Sequence, residues 1–227
     1  MPPPLSITVY SDVICPWCYV GKRRLEAAMQ EPGVPAPNHL TWHLTWRLTW
    51  RPFELNPDMP PEGVERKVYR ERKFGKARSA EIDARMLTTG REVGIKFAFE
   101  RMLRTPNTQL AHRLIWEADR QGRQEAVVER LFHGYFEQGL DIGRMDVLAD
   151  IAAEAGLAAD GTRQALADPA SLAAVRNLEQ QGYAMGIQGV PFFILLAKYG
   201  ISGAQPAEFW REALPKIAAE AAQPQAS

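Results

Sequence analysis

The chain contains only two cysteines, Cys15 and Cys18, with Pro16 and Trp17 between them. An alternation of apolar and polar residues from Leu5 to Tyr10 precedes the pair and predicts a short strand. A Cys-x-x-Cys segment between a strand and the start of a helix indicates a redox-active dithiol. The alternatives are a static disulfide or two inert thiols. A static disulfide around so short a loop would constrain little of the unfolded chain.

The residues after the first cysteine predict a helix. Pro16 suits a first helical turn, where its missing N–H costs nothing. Cys15 then lies at the helix N-terminus, where unpaired N–H groups and the helix dipole favour a thiolate. We therefore predict that Cys15 is the accessible nucleophile, and that Cys18, one turn later, is buried and closes a disulfide onto it.

A zinc site is the competing interpretation of these thiols. Cys15, Cys18, His39 and His43 have the spacing C-x2-C-x20-H-x3-H. Such sets of thiolates and imidazoles bind zinc. The central gap is longer than in common zinc fingers, however, and Pro16 with Trp17 suits a redox loop better. We predict no metal.

Composition limits the classes of function. The 227 residues include 27 Lys and Arg against 27 Asp and Glu. This balance gives no electrostatic footprint for nucleic acid or an anionic membrane. No apolar run is long enough to span a bilayer, and the first residues lack the features of a signal peptide. We expect a cytoplasmic protein, since a lone Cys-x-x-Cys in that compartment is more often catalytic than structural.

The order of predicted elements is β-α-β, a long helical block, then α-β-β-α. We expect three segments: residues 1–61 as the first part of a sheet domain, 62–168 as a helical insertion, and 169–227 as the second part. Turns are predicted near Thr89-Gly90, residues 105–107, Gln121-Gly122 and residues 139–143. Aromatic residues are expected to fill the core of the insertion: Phe97, Phe99, Trp116, Phe132, Tyr135 and Phe136.

Residues 40–51 repeat Leu-Thr-Trp-X three times and predict a strand with one apolar face. A slip of four residues keeps the same face inward, so the repeat does not specify its pairing. We expect the last copy, Leu48 to Arg51, in the main sheet and Trp42 or Trp46 partly exposed. Deleting residues 40–47 should then preserve folding. The pairing register of the strands near residues 190–201 is also left open, because the turn between them lacks the Gly or Asn of a tight hairpin.

The strand, Cys15-Pro16-Trp17-Cys18, the helix and the distant Gly189-Val190-Pro191-Phe192-Phe193 together resemble the DsbA-like thioredoxin superfamily. The segment from Ser11 to Arg23 is similar to its FrnE-like branch of dithiol-disulfide oxidoreductases, which is related to the 2-hydroxychromene-2-carboxylate isomerases. Weaker matches are residues 50–57, 105–108, 111–114 and 202–206. The resemblance implies an α/β thioredoxin fold with a large all-helical insertion.

The resemblance also implies that Pro191 is cis and faces the dithiol, whereas composition alone predicts a trans bond. It implies a substrate-binding surface at Pro16, Trp17, Val190 and Pro191, with the Val190 backbone pairing to an extended substrate. The implied partners are proteins or small molecules that carry thiols or disulfides, with glutathione as a candidate co-substrate. No cofactor is expected beyond the Cys15–Cys18 disulfide.

Two further residues are candidates for tuning the dithiol. Asp12 lies three residues before Cys15, where it either tunes proton transfer or caps the loop. His112 falls inside a predicted helix and is either a packed or solvated histidine or a contact near the dithiol.

The sequence thus predicts a thiol-disulfide oxidoreductase, and leaves open the direction of the reaction and the oligomeric state. One alternative is a glutathione-dependent isomerase or transferase of the same fold. Those relatives usually have serine in place of the first cysteine. The other alternative is a holdase that binds unfolded chains through apolar surface on the helical block.

Overall fold

Within the part of the chain that the structure describes, a mixed four-stranded sheet carries its first strand in an inner position. The computed structural model describes residues 5–30 and 46–222. Strand β1 (Leu5–Ser11) runs parallel to β2 (Trp46–Pro52) and antiparallel to β5 (Phe192–Leu195), which pairs with β6 (Tyr199–Ser202). The strand order is therefore β2-β1-β5-β6. The predicted alternation in β1 is confirmed, because Ile7 and Val9 are buried. The sheet therefore presents the carboxyl end of β1 directly to the dithiol.

Helices occupy most of the chain between β2 and β5. A two-residue strand pair, β3 (Val64–Glu65) with β4 (Arg104–Thr105), interrupts them, as does a single π-helical turn (Gly134–Gln138). The remaining elements are α1 (Pro16–Met29), α2 (Arg66–Phe74), α3 (Lys76–Glu92), α4 (Gln109–Arg120), α5 (Gln124–His133), α6 (Met145–Glu154), α7 (Ala159–Ala167), α8 (Pro169–Ala184) and α9 (Ala207–Ala222). This is the predicted α/β thioredoxin fold with a helical insertion.

The helical insertion shares one hydrophobic core with the sheet. Tyr19 of α1 stacks on Phe132 of α5 with ring centroids 5.0 Å apart, and Phe97 meets the Tyr19 ring edge-on. Such aromatic pairs stabilise a contact beyond the area that they bury. Of the aromatic residues expected in this core, Phe97, Phe132, Tyr135 and Phe136 are buried, whereas Trp116 and Phe99 are only partly buried. The predicted boundaries at residues 61 and 168 stay a prediction.

An ion cluster around the buried Lys22 also ties the first helix to the insertion. The Nζ atom of Lys22 lies 2.8 Å from carboxylate oxygens of both Glu125 and Glu129 and also contacts Glu26. Burial acts to lower the pKa of Lys22, but the three glutamates outweigh it and raise the pKa. The ammonium is buried whereas the glutamates are partly exposed, so loss of these partners would leave the Lys22 charge uncompensated. The orientation of α1, and with it the dithiol, is thus fixed against α5.

The predicted turn at Thr89-Gly90 is wrong, because α3 continues to Glu92 and the chain turns at Gly94 with φ +76°. Gly90 is needed inside the helix for close packing. A Cβ there would stand 2.5 Å from Cδ2 of Phe97. Gly90 therefore allows the Phe97 side chain to contact the backbone of α3 directly. The predicted turn at Gln121-Gly122 is confirmed, with Gly122 at φ +66°.

The hairpin forms without the residues usual for a tight turn. Leu196 and Ala197 adopt φ +54° and +55°, and the Lys198 N–H donates to the Leu195 carbonyl at 3.0 Å. The Leu196 N–H donates to the Ser6 carbonyl at 2.9 Å. Left-handed backbone is costly for residues with a Cβ, so this contact with β1 holds the turn in place.

Part of the interpretation of the Leu-Thr-Trp repeat is wrong. The last copy lies in the sheet as expected, but β2 begins at Trp46, opposite Leu5, and Trp46 is only 2% exposed. Trp46 is not the partly exposed tryptophan, because the parallel ladder with β1 extends two residues farther back than the last copy. A deletion of residues 40–47 would now remove two residues of β2. Residues 40–45, including Trp42, lie outside the described residues.

We predict that Trp46→Ala destabilises the protein by about 3–5 kcal/mol, because it leaves a cavity beneath the sheet edge. The buried indole N–H of Trp46 has no hydrogen-bond partner among the described residues, so Trp46→Phe should retain most of the stability. Urea unfolding followed by circular dichroism measures both. An unchanged midpoint for Trp46→Ala would show that this copy of the repeat is dispensable.

Candidate active site

The dithiol sits where β1 ends and α1 begins. Cys15 is the N-cap of α1, with extended backbone (φ −88°, ψ 111°), and Pro16 occupies the first turn. The N–H groups of Cys18 and Tyr19 both donate to the Cys15 carbonyl, which starts the helix. The predicted position of Cys15 at a helix N-terminus is confirmed. Free N–H groups and the helix dipole at this end favour a thiolate.

The two thiols are free and both are buried. Cys18 is 1% exposed and Cys15 is 5% exposed. The expectation of an accessible Cys15 is therefore wrong in absolute terms. The segment before β5 limits the exposure of Cys15, because the Cys15 thiol donates to the Val190 carbonyl at 3.7 Å.

Burial raises the pKa of the Cys18 thiol well above its ordinary value, and the neighbouring Cys15 raises it further. Contacts with the Ser11 side chain and the Asp12 main chain act in the opposite direction. The two cysteines thus differ in environment. Cys15 lies at the N-terminus of α1, whereas Cys18 is held as a neutral thiol one turn farther along the helix.

The segment expected to face the dithiol does so. The Val190–Pro191 peptide bond is cis, and Pro191 is buried against α1. At Gly21, one turn after Cys18, a Cβ would come within 3.1 Å of the Pro191 ring. The glycine in this helix therefore allows Pro191 to lie close to the dithiol.

Of the remaining residues of the motif, Pro16 lines a small cavity and Trp17 lies beside a cation. Pro16 and Trp17 are both partly exposed, and the guanidinium of Arg85 lies 5.4 Å from the Trp17 ring centroid. Pro16 also borders a cavity of about 110 Å³. Apolar and aromatic side chains form most of its wall, and three cations reach it from α2: Arg66, Arg70 and Lys73.

Two of these cations share one carboxylate. Arg66 and Arg70 bind Asp83 at 2.9 and 2.7 Å. The ammonium of Lys73 donates to Oδ1 of Asn56 and to the Tyr69 hydroxyl. Positive charge therefore exceeds negative charge among these four ionic side chains. A small anionic group would be favoured there over a neutral one.

Asp12 and His112 meet on the other side of the dithiol loop. The Asp12 side chain is fully buried, and its Oδ2 accepts a hydrogen bond of 2.8 Å from the Leu55 N–H. Nε2 of His112 lies 3.5 Å from Oδ1 of Asp12. His112 is thus a packed histidine, 3% exposed, that also contacts the first residue of the dithiol loop.

Sequence reasoning missed two acids of this region. Glu54, just after β2, and Glu179, on α8, act electrostatically on His112. Glu54 could have been noticed, because a carboxylate between Phe53 and Leu55 at a strand end is unusual in a buried segment. Glu179 carries no signal in the sequence, since only the packing of α8 on α4 brings it here.

Metal binding finds no support in the part of the chain that the structure describes. No group of three or more His, Cys, Asp or Glu side chains there could hold an ion. His39 and His43, the histidines of the zinc interpretation, lie outside the described residues. Within the same ranges, no helix has the length and apolar character needed to cross a membrane.

We predict that iodoacetamide at mildly acidic pH modifies Cys15 before Cys18, because the neutral, buried Cys18 thiol is a poor nucleophile. Peptide mass spectrometry measures the order in which the two thiols are alkylated. The single variants Cys15→Ser and Cys18→Ser give the alkylation rate of the thiol that remains. Faster labelling of Cys18 would overturn the assignment of roles.

We predict that Gly21→Ala slows thiol-disulfide exchange several-fold, because the new methyl group presses on Pro191 and Phe193. Its free energy of unfolding should change by less than about 1 kcal/mol, since alanine favours the helix. Gly161→Ala on α7 is the matched control, as its Cβ would meet nothing closer than 3.8 Å. Equal exchange rates for the two variants would contradict the proposed role of Gly21.

Comparisons with known proteins agree with this geometry. A family model described as a DSBA-like thioredoxin domain matches residues 6–215. The crystal structure of a probable DsbA oxidoreductase from Streptomyces coelicolor is 29% identical, with a TM-score of 0.84 over 98% of this chain and 93% of that one. The uncharacterized protein YwbO of Bacillus subtilis is 27% identical over 192 residues, which are 84% of this chain and 86% of that protein.

A more distant structure has the same fold. The cytosolic disulfide reductase DsbM from Pseudomonas aeruginosa, solved with GSH, is 21% identical, with a TM-score of 0.62 over 93% of this chain and 98% of that one. The match of the family model over most of the sequence is decisive. The chain belongs to the DSBA-like thioredoxin domain family.

Proposed function

We propose that the protein is a thiol-disulfide oxidoreductase that exchanges dithiols and disulfides through Cys15 and Cys18. The observation that carries the proposal is the pairing of two free thiols one helical turn apart, with the first at the N-terminus of α1. Family membership supports redox chemistry of this general kind. An inert role would not require a thiol at the one position where a helix favours its anion.

The reaction follows from the two environments. The Cys15 thiolate attacks one sulfur of a substrate disulfide, forms a mixed disulfide and releases the first substrate thiolate. Cys18 then loses its proton and attacks the Cys15 sulfur. The Cys15–Cys18 disulfide closes, the second substrate thiolate leaves, and the substrate has gained two electrons. The reverse sequence oxidises a substrate dithiol, and no further cofactor takes part.

The substrate meets the dithiol at four residues in this proposal. Pro16 and Trp17 supply partly exposed apolar surface on one side, and Val190 and Pro191 supply backbone on the other. An extended substrate segment would pair with the main chain of Val190, as strands do when they add to a sheet edge. Proteins and small molecules with accessible thiols or disulfides both suit this surface.

Glutathione is the small thiol that we propose as co-substrate. The excess of positive charge at the adjoining cavity supports an anionic thiol with carboxylate groups. DsbM, which shares this fold, was solved with GSH and is described as cytosolic. A cytoplasmic location is part of the proposal and is consistent with the use of only two cysteines.

The test is the reduction of insulin disulfides by the pre-reduced protein, with glutathione to regenerate it. Cys15→Ser should lose the activity, because the attacking thiolate is gone. Cys18→Ser should accumulate a mixed disulfide with insulin, detected by mass spectrometry, because the second attack cannot occur.

The same variants separate the alternative functions. Glutathione-dependent isomerase chemistry would tolerate Cys15→Ser, and a holdase would suppress aggregation of unfolded proteins without either thiol. Full exchange activity in Cys15→Ser, or no exchange by the wild-type protein with any disulfide, would refute the proposal.

A further inference from the structure

A set of four titratable side chains, three buried and one partly buried, lies beside the dithiol loop and has no part in the exchange steps described above. Its members come from four elements: Asp12 after β1, Glu54 after β2, His112 on α4 and Glu179 on α8. Asp12 is fully buried, His112 is 3% exposed and Glu54 is 6% exposed. Charges in such a place need partners, because removal from water is costly.

The contact between His112 and Asp12 is electrostatic in character. Their closest atoms, Nε2 and Oδ1, are 3.5 Å apart, which is within ion-pair range but longer than an ordinary hydrogen bond. Nε2 of His112 has no hydrogen-bond partner among the described residues, and neither has the buried Oε1 of Glu179. A group that served only as an anchor would be expected to make directed hydrogen bonds.

The position of His112 on its helix is unfavourable for a positive charge. His112 lies in the first turn of α4, where the helix dipole disfavours cations. Its main-chain N–H donates to the Thr108 carbonyl. Arg113 fixes this turn to α8, donating to the Ser171 hydroxyl at 2.8 Å and to the Asp168 carbonyl at 2.9 Å. The imidazole is thereby held facing the three acids.

The acids determine the charge of the imidazole. Burial acts to lower the pKa of His112, but Asp12, Glu179 and Glu54 together raise it, so the cation persists to higher pH than in water. Burial and the neighbouring Glu179 raise the pKa of Glu54 to about 7. The other groups that face the set are Arg176 on α8, and the hydroxyls of Tyr135 and Tyr183.

The link from this set to the dithiol runs through Asp12. The Asp12 carbonyl accepts a hydrogen bond of 2.9 Å from the Cys15 N–H, and Oδ1 of Asp12 accepts one of 3.4 Å from the Ile14 N–H. The charge of Asp12 thus lies within one turn of the attacking sulfur, in an interior that screens it poorly.

We propose that His112 is a positioning residue whose positive charge neutralises Asp12 beside the dithiol loop and so sets the thiolate stability of Cys15. The proposal rests on the function assigned above to Cys15. In this arrangement Asp12 holds the loop through its hydrogen bonds, and His112 removes the repulsion that an unpaired carboxylate would exert on the thiolate.

The arrangement makes opposite predictions for two isosteric changes. His112→Gln removes the cation and leaves Asp12 unpaired, so the iodoacetamide rate of Cys15 at pH 7 should fall by about three- to tenfold. Asp12→Asn removes the anion and leaves the cation, so the rate should rise or the alkylation midpoint should move to lower pH. His133→Gln is the matched control, because that imidazole is 41% exposed on α5. It should change neither the iodoacetamide rate of Cys15 nor its alkylation midpoint.

The pH profile distinguishes charge from structure. The difference in rate between the wild type and His112→Gln should shrink as the pH rises through the pKa of His112, because the wild type then also loses its cation. Potentials measured in glutathione buffers should follow the same signs, with His112→Gln more reducing and Asp12→Asn more oxidising. A tenfold change in equilibrium constant corresponds to ~30 mV.

Shifts of the same sign in both variants, or a difference that is constant with pH, would overturn the proposal in favour of a structural role. Circular dichroism and urea unfolding establish that each variant folds. If Asp12→Asn does not fold, Glu54→Gln takes its place with the same expected sign and a smaller shift. Alkylation needs no substrate, so this test stands even if insulin reduction fails and the proposed function is rejected.

Discussion

The carboxylate of Asp12 is the point on which the arrangement of the dithiol depends. It lies at the end of β1 and accepts hydrogen bonds from the N–H groups of Ile14 and Leu55, while the Asp12 carbonyl receives the Cys15 N–H. Three main-chain donors are thereby satisfied where the chain leaves the sheet and enters α1. A buried loop without such acceptors would leave unpaired N–H groups at a cost of about 1–3 kcal/mol each. The acid is thus part of the loop's structure before it has any electrostatic effect on the thiols.

The elements around this loop serve mainly to hold α1 in one orientation. Lys22 binds α1 to α5 through three glutamates, and Tyr19 stacks on Phe132. On the opposite side α9 packs on α1 and places Trp210 against Phe193 of β5, with ring centroids 4.9 Å apart. The first cysteine therefore sits on a helix that is clamped from both sides. A helix held in this way keeps Cys15 beside the Val190 carbonyl, which its thiol contacts at 3.7 Å.

The parts of this structure that local chemistry determines could be predicted from the sequence. Local conformation is specified by Pro16 in a first helical turn, by the alternation in β1 and by the thiol spacing. The strands that follow Gly189 could be predicted in the same way. The Leu-Thr-Trp repeat could not be placed, because its copies differ only at every fourth residue and a slip keeps the same face inward. Gly90 was taken for a turn since its packing partner, Phe97, becomes a neighbour only after folding. Glu54 and Glu179 were missed for the same reason, as they are 58 and 67 residues from His112 in the sequence.

The burial of Cys15 has a consequence for how the site can work. A thiolate under the Val190 carbonyl faces the negative end of a dipole at 3.7 Å, and the Asp12 carboxylate lies in the same loop, whereas the N-terminus of α1 supports its charge. A helix terminus is worth about 0.3–1 kcal/mol at exposed sites and up to ~2 kcal/mol when partly buried, which is small against an unpaired anion in a poorly screened interior. Negative charge near the loop must therefore be reduced by another route. In the arrangement that we propose, the cation on His112 provides that reduction, and protonation of Glu54, whose pKa lies near 7, adds to it.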